Sequence, residues 1–288
     1  MQANIIKDIQ LLSNPILDYF FIVITLLGSS GFYFLLLPIF YWCIDKRFGL
    51  KLGLMLISSI YVNTVIKEVT MIARPIGYPG IRSIFTQSAG GYSFPSGHAQ
   101  GSATLWGTIM VHYKNKTINI IGITLVLLIS LSRLYLGVHW PMDIVGGILI
   151  ALLIVFVGEL TDSIIIEGKI DIPFRYKILL SLLIPIILII LFPYKDNFEY
   201  MGIMSGVLLG YFIDQKYFGF TVENILTNHF IKLIIGIVIF FSLQTGLKLI
   251  FPYTNIFNMI RYGASGLWLS LGAPWVFYKL KLCSKTIN

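Results

Sequence analysis

Charged residues are scarce in this chain of 288 residues. Asp, Glu, Lys and Arg make up 12% of it, well below the ~25% typical of soluble domains. Hydrophobic residues make up 57%, and the mean hydropathy is +0.84. This composition excludes an ordinary soluble globular domain. The chain also has only two cysteines, Cys43 and Cys283, which lie far apart beside basic residues. A disulfide scaffold is therefore excluded, and we expect free thiols on the cytoplasmic side.

Long apolar runs, in contrast, are abundant, and each is close to the ~20 residues that a membrane-spanning helix needs. We predict an all-α fold, a polytopic membrane helical bundle with about nine transmembrane helices. The predicted spans cover about 15–42, 48–73, 98–112, 118–132, 141–159, 177–193, 200–213, 230–250 and 258–280.

The first predicted span contains a soft point at Gly28–Gly31, so a re-entrant pair of helices is the alternative to one long tilted helix. Before this span, Ile5, Ile9 and Leu12 recur at helical spacing. This pattern predicts a short interfacial helix within residues 1–14 that lies on the membrane surface. A cleaved signal peptide is not expected, because no short apolar core is followed by small residues.

The net charge of +8 does not indicate nucleic acid as a partner, because Lys and Arg stand in short loops between apolar runs. Basic loops at 46–51, 114–116 and 279–285 fall on one predicted side, which should be the cytoplasm. We therefore predict a multi-pass cell-membrane protein with its N-terminus outside and its C-terminus in the cytoplasm. Membrane lipids are the expected surroundings, and the sequence does not indicate an oligomeric state.

Ionisable groups concentrate in three short runs at 67–75 (KEVTMIARP), 95–98 (PSGH) and 132–143 (SRLYLGVHWPMD). Such groups are costly at membrane depth and usually mark a functional site. In the predicted orientation all three runs open on the outer face. The Gly-rich stretch 76–95 joins the first run to the second, and we interpret it either as a mobile flap over the site or as a plain surface loop.

Lys67 and Arg74 are the cations of the first run. Their spacing of seven residues is nearly two helical turns, so we predict that both lie on one helix face that ends near Pro75. Arg can hold phosphate oxygens with a bidentate fork and Lys as a point charge. Snorkelling towards lipid head groups is the alternative role.

Ser96, Gly97 and His98 follow Pro95 at the predicted start of a helix. A helix N-terminus offers unpaired N–H groups to an anion, Gly97 permits close approach, and Ser96 adds a hydroxyl. His98 beside a bound phosphate could protonate a leaving alkoxide and later activate water. A Ser-capped helix with a structural histidine remains the alternative.

Arg133, His139 and Asp143 form the third group, with Pro141 in the first turn of the next helix. The Asp143 carboxylate can accept the proton of one imidazole nitrogen and leave the other nitrogen free as a nucleophile. An Arg–Asp loop pair with an uninvolved histidine is the alternative.

A metal-dependent mechanism is disfavoured, because these runs supply only Glu68 and Asp143 as carboxylates, whereas two-metal sites need a cluster of ligands. The fixed cations Lys67, Arg74 and Arg133 could stabilise the transferred phosphoryl group instead. We expect no metal and no other cofactor.

Together, Lys67-x6-Arg74-Pro75, Pro95-Ser96-Gly97-His98 and Ser132-Arg133-x5-His139-x3-Asp143 resemble the three signatures of the type 2 phosphatidic acid phosphatase superfamily. The resemblance covers about residues 30–160. It implies a helical bundle that removes phosphate from lipid phosphates or diphosphates, without metal, through a phosphohistidine.

The resemblance also implies roles for individual residues. His139 would be the nucleophile, Asp143 its orienter, and His98 the general acid and then base. The phosphate would be held by the residues Lys67, Arg74, Ser96, Gly97 and Arg133.

We predict that the chain consists of an interfacial helix (1–14), a catalytic phosphatase core (15–160) and additional C-terminal transmembrane helices (161–288). The layout, with the run GYSFPSGHAQ, is similar to the branch that contains glucose-6-phosphatase and the sphingosine-1-phosphate phosphatases. The spans after residue 175 depart from the six-span pattern of most bacterial lipid phosphatases, and no motif explains them.

The substrate classes that follow are lipid phosphates or diphosphates of the undecaprenyl diphosphate, phosphatidate or phosphatidylglycerol phosphate type. A phosphatase of a soluble sugar phosphate is the second hypothesis, motivated by the nine-span layout. A non-enzymatic lipid transporter or binding protein is the third. A vanadium haloperoxidase would share the motifs, but those enzymes are soluble.

Overall fold

The computed structural model describes residues 1–162, 172–222 and 225–285. These residues are mostly helical with almost no sheet, which confirms the predicted all-α class. The α-helices are α1 (Gln2–Gln10), α2 (Pro15–Leu26), α3 (Ser30–Ile39), α4 (Lys46–Thr70), α5 (Gly97–Tyr113), α6 (Lys116–Tyr135), α7 (Pro141–Thr161), α8 (Phe174–Leu191), α9 (Lys195–Tyr217), α10 (Leu226–Ile250), α11 (Asn255–Leu267) and α12 (Ala273–Lys279).

Shorter elements complete the secondary structure. The helical path continues as π-helix at Phe40–Ile44 and at Trp268–Gly272, and a 3-10 turn covers Thr86–Ser88. Two-residue strands β1 (Phe220–Thr221) and β2 (Ser284–Lys285) pair in antiparallel register.

The predicted count of about nine spans is not confirmed. Among the described residues, five helices are long and apolar enough to cross a membrane: α4, α6, α7, α8 and α10. Each of the other predicted spans also contains helix. However, α5 has 17 residues, the lower limit for a full crossing, and α9 carries charged residues near both ends. Helices α11 and α12 have 13 and 7 residues and are joined by the π-helical segment Trp268–Gly272.

The first predicted span is two helices instead of one. The chain bends by 49° between α2 and the helical segment Ser30–Ile44, and the pair counts as a sixth span if it is taken as one broken helix. The side chain of Asn14 caps α2 by accepting the N–H groups of Ile16 and Leu17 at 3.0 Å, and Pro15 occupies the first turn. The break falls at the predicted soft point, and it is compatible with a broken span as well as with a re-entrant pair.

The chain divides into two compact units. The first unit comprises Met1–Leu35 and Ser58–Leu160, and the second comprises Leu36–Ile57 and Thr161–Asn288. All three motif runs belong to the first unit.

The core of the first unit lies where α1, α2, the 71–96 loop and the end of α6 meet. Its buried members are Phe21, Ala89, Tyr135, Leu136 and Val138. This apolar cluster fixes the loop against the C-terminal end of α6, immediately beside Arg133 and His139.

A buried polar ladder joins α4 to α5 in the same unit. The Asn63 amide donates to the Pro95 carbonyl at 3.2 Å and to Gln100 Oε1 at 2.9 Å. Gln100 Nε2 donates to the Ser59 carbonyl at 2.7 Å, and the Thr104 hydroxyl donates to Ser59 Oγ at 2.9 Å. Because buried polar groups need partners, the ladder fixes the rotation of α5 and hence the position of the Pro95–His98 turn.

The second unit packs two helices at very short range. A Cβ atom added at Gly206 of α9 would lie 2.0 Å from the carbonyl oxygen of Gly263 on α11. Small residues permit such backbone contact between helices in membranes. A separate core surrounds Trp42 and Phe277, whose rings pack edge to face.

Candidate functional site

The first motif run leaves its helix earlier than predicted. Helix α4 ends at Thr70, and Met71 adopts a left-handed backbone with φ of 49°. Lys67 is therefore helical, but Arg74 lies in the extended segment beyond. The prediction that both cations share one helix face is wrong, because the chain turns four residues before Pro75.

The 71–96 loop nevertheless brings Lys67 and Arg74 together through its backbone. Lys67 Nζ donates to the Tyr92 carbonyl at 2.6 Å. Arg74 Nε donates to the Gly91 carbonyl at 2.9 Å, and Arg74 Nη2 donates to the Gly90 carbonyl at 2.7 Å. Gly91 has a φ of +65°, a conformation that favours glycine and turns successive carbonyls towards the cations.

The third cation reaches the same stretch of loop. Arg133 is fully buried at the end of α6. Its Nη1 donates to Thr25 Oγ1 at 2.7 Å and to Ser88 Oγ at 3.1 Å, and its Nη2 donates to the Ser88 carbonyl at 3.3 Å. The segment 88–92 therefore accepts hydrogen bonds from all three motif cations.

Ser96 caps the N-terminus of α5 from a fully buried position, and Gly97 begins the helix. The Ser96 N–H donates to the backbone carbonyl of Asp143 at 3.0 Å, which ties the second motif run to the third. His98 lies in the first turn and is half-buried.

His139 and Asp143 form a buried pair. Nδ1 of the imidazole lies 3.0 Å from Asp143 Oδ2, while Nε2 lies 2.9 Å from Arg74 Nη1. A guanidinium can only donate, so Nε2 accepts the hydrogen bond from Arg74. Nδ1 therefore carries the hydrogen and donates a hydrogen bond to Asp143 Oδ2. The lone pair of Nε2 therefore points towards the motif cations.

Electrostatic interactions unite the whole group. The charges of Arg74, Arg133 and Lys67 act on the rings of both His98 and His139, and His98 also acts on His139. Burial, followed by the charge of Arg74, holds the pKa of His139 well below its usual range. Burial lowers the pKa of Arg74 to about 10 although Asp143 opposes the shift, so Arg74 stays charged at neutral pH.

All predicted site residues are thus in one neighbourhood of the first unit, at the ends of α4, α5, α6 and α7. This neighbourhood contains a neutral imidazole with a defined tautomer, a second histidine, three cations and a helix N-terminus. Such a set can bind a tetrahedral anion and attack it.

Several residues that contact Asp143 and Arg133 were not predicted from the sequence. Ser93 donates its hydroxyl to Asp143 Oδ2 at 2.5 Å, and the Trp140 N–H donates to the same oxygen at 2.8 Å. Thr25 and Ser88 contact Arg133. The Gly-rich composition of 88–92 indicates that backbone groups of this segment are accessible to the cations. Nothing in the sequence pattern singles out Ser93 or Thr25.

Comparisons with known families agree with this geometry. The model of the PAP2 superfamily matches residues 48–160, and the model described as PAP2 superfamily phosphatase, transmembrane extension, matches residues 198–285. The second match covers most of the C-terminal helices for which no motif was found.

Named relatives are phosphatases. Lipid phosphate phosphatase delta of Arabidopsis thaliana is 30% identical over 230 residues, which are 72% of this chain and 53% of that protein. Sphingosine-1-phosphate phosphatase 1 of Rattus norvegicus is 32% identical over 50% of this chain and 35% of its own length. Undecaprenyl-diphosphatase of Sulfolobus acidocaldarius is 31% identical over 41% and 57%. The chain spans about half the length of these curated relatives, or less.

Among solved structures, Aquifex aeolicus LpxE is similar, with a TM-score of 0.50 and 26% identity. The match covers 55% of this chain and 94% of that one. The two superfamily models together match more than two thirds of the residues, and residues from all three motif runs lie in one neighbourhood. The chain therefore belongs to the PAP2 superfamily.

Proposed function

We propose that the protein is an integral membrane phosphatase that hydrolyses lipid phosphates or diphosphates through a phosphohistidine, without a metal. The observation that carries this proposal is the buried pair in which Asp143 accepts a hydrogen bond from Nδ1–H of His139 while Nε2 faces Arg74. Superfamily membership and the names of the relatives support the reaction class.

In the proposed first step, His139 Nε2 attacks phosphorus, and the bond between phosphorus and the leaving oxygen breaks. His98 gives its proton to that oxygen. The phosphoryl oxygens take hydrogen bonds from Lys67, Arg74 and Arg133, and Arg74 Nη1 exchanges Nε2 for an oxygen of the substrate. Cations aimed at the transferred group stabilise its charge in the transition state.

In the second step, water attacks the phosphohistidine, and His98 accepts the proton of that water. The bond between Nε2 and phosphorus breaks, and inorganic phosphate leaves. Asp143 keeps the proton on Nδ1 throughout, because Ser93 and Trp140 hold the carboxylate in place.

Lipids are the substrate class that the comparisons favour. The three relatives described above are named for a lipid phosphate, for sphingosine 1-phosphate and for undecaprenyl diphosphate. The nine-span layout that motivated the sugar-phosphate hypothesis is not confirmed. We propose that the active site opens on the outer face of the cell membrane, with the N-terminus outside and the C-terminus in the cytoplasm.

The test is phosphate release by the purified full-length chain in detergent with EDTA present. The panel contains sphingosine 1-phosphate, phosphatidate, phosphatidylglycerol phosphate, undecaprenyl diphosphate and glucose 6-phosphate. We expect release from at least one lipid and a much lower rate on glucose 6-phosphate. Absence of release from every lipid by folded protein would refute the proposal, and so would activity only on the sugar phosphate.

A further inference from the structure

Helix α2 lies outside the part of the chain that the PAP2 superfamily model matches, yet it borders the site. That model begins at residue 48, whereas α2 covers Pro15–Leu26. Beyond its end, the backbone at Gly28 comes so close to His98 that an added Cβ would lie 3.3 Å from the ring atom Cδ2. The N-terminal segment is therefore part of the wall around the histidine.

Thr25 is the residue of α2 that touches the motif cations. It is fully buried, and its Oγ1 accepts a hydrogen bond of 2.7 Å from Arg133 Nη1. This is the shortest of the hydrogen bonds that Arg133 makes with described residues.

The hydrogen bonds that Arg133 makes show what the contact with Thr25 does. Thr25 and Ser88 take the two hydrogens of Nη1, and the Ser88 carbonyl takes one hydrogen of Nη2. The guanidinium has five donors in a planar fork. The Nε–H and the second Nη2–H remain, and they lie along one edge of the fork.

Within the described ranges, the buried Nε of Arg133 finds no hydrogen-bond acceptor. A buried donor without a partner is costly, and two parallel N–H groups on one edge fit two oxygens of a phosphate. Thr25 and Ser88 therefore hold one side of the Arg133 guanidinium, and the edge that carries Nε–H stays available to an anion.

Neighbouring contacts hold α2 itself at this distance. Asp18 of α2 pairs with Arg82 through two hydrogen bonds of 2.8 and 2.5 Å, and the Tyr135 hydroxyl donates to Asp18 at 2.7 Å. Tyr135 is two residues from Arg133 on α6. The same helix that supplies Thr25 is thus clamped to the loop and to the end of α6.

We propose that Thr25 is a positioning residue that orients Arg133 for bidentate binding of the substrate phosphoryl group, so that the N-terminal helices belong to the catalytic unit. This inference rests on the proposed phosphatase function. It assigns a role to a threonine that stands in none of the three motif runs.

The test compares Thr25→Val with Thr25→Ser in the full-length protein. Valine keeps the shape and removes the hydroxyl, whereas serine keeps the hydroxyl. We expect Thr25→Val to lower kcat/KM by about 10-fold, the effect of losing one hydrogen bond to a charged group. Thr25→Ser should stay within about twofold of the wild type.

Two further measurements separate positioning from a general loss of structure. The inhibition constant of orthovanadate, which copies the geometry of the transferred phosphoryl group, should rise in Thr25→Val in proportion to the loss of kcat/KM. The melting temperature in detergent should show that the variant is folded. Thr124→Val is the matched control, because Thr124 is exposed on α6, and it should behave as the wild type.

The outcomes are distinguishable. An active wild type with an unchanged Thr25→Val, or with equal losses in the valine and serine variants, would overturn the role of Thr25 alone. A loss of activity without a change in vanadate inhibition would also overturn it. A folded wild type that neither hydrolyses any lipid of the panel nor binds vanadate would overturn the proposed function as well.

Discussion

Lys46 and Lys51 of the second unit differ in their partners from the three motif cations of the first unit, although Lys232 of the second unit also donates to a backbone carbonyl, that of Trp42. In the second unit, Lys46 pairs with the fully buried Asp214, and Lys51 pairs with Asp162 at 2.9 Å. In the first unit, the three motif cations donate to backbone carbonyls, hydroxyl oxygens and one imidazole nitrogen. Among the described residues, no ion pair joins any of these three to a carboxylate.

This difference distinguishes two ways in which the donors of a buried cation are satisfied. A carboxylate neutralises a buried cation, and the pair then holds helices together. A carbonyl or hydroxyl satisfies the donors of a cation but leaves its positive charge in place. The first unit therefore retains a positive potential beside His98 and His139, and this potential suits a dianionic phosphate.

The largest effect on activity should come from removing the proposed nucleophile. We expect His139→Asn to lower kcat by at least ~10³-fold, because the phosphohistidine cannot form. Phosphate release in a steady-state assay measures this loss. The matched control is His112→Asn, at the exposed end of α5, which should keep the wild-type rate. Comparable rates in both variants would exclude the phosphohistidine.

An intermediate effect should follow from removing one unneutralised cation. We expect Arg74→Gln to lower kcat/KM by about 10²-fold, since a donor to the transferred group is lost. The exposed Arg175 of α8 offers the control Arg175→Gln, which should leave kcat/KM unchanged.

The same Arg74→Gln variant should change the pH profile. The charge of Arg74 helps to hold the pKa of His139 below its usual range. Loss of that charge raises the pKa, so His139 becomes protonated and inactive at a higher pH. The acidic limb of the kcat/KM profile should therefore lie below about pH 6.5 in the wild type and move to higher pH in the variant. A limb that stays fixed or moves to lower pH would contradict the assigned contact.

The smallest effect on activity should come from the neutralised cation of the second unit. We expect Lys46→Met to destabilise the protein by about 3–5 kcal/mol, because Asp214 is left buried and unpaired, while kcat/KM of the folded fraction is unchanged. The double variant Lys46→Met/Asp214→Leu should recover most of the stability. Thermal unfolding in detergent measures both, with Lys195→Met as the exposed control. A large loss of kcat/KM would show that Lys46 is needed for activity as well as for stability.

The sequence by itself determined the helical class of the fold and predicted the members of the candidate site. Apolar runs of spanning length predicted helices because a membrane leaves few other ways to satisfy the backbone. The three motif runs were recognisable because ionisable residues are rare in such a chain. His139 lies just before the helix that Pro141 begins, and Asp143 lies in its first turn, so their hydrogen bond followed from local spacing.

The bounds of the helices and the path between the motif runs were decided by the tertiary structure. Apolar composition alone did not show that the helical path changes to π-helix at Phe40–Ile44 and at Trp268–Gly272. Helix α4 ends at Thr70, where Met71 adopts a left-handed backbone, so Arg74 reaches the site from an extended segment.

The contacts of the cations were likewise beyond the sequence. The partners of Arg133 come from Thr25 and Ser88, which are 108 and 45 residues distant along the chain. Local periodicity carries no information about partners so remote, because their positions depend on how α2 and the loop pack together. The sequence thus shows which groups are charged, whereas their orientation depends on how the chain folds.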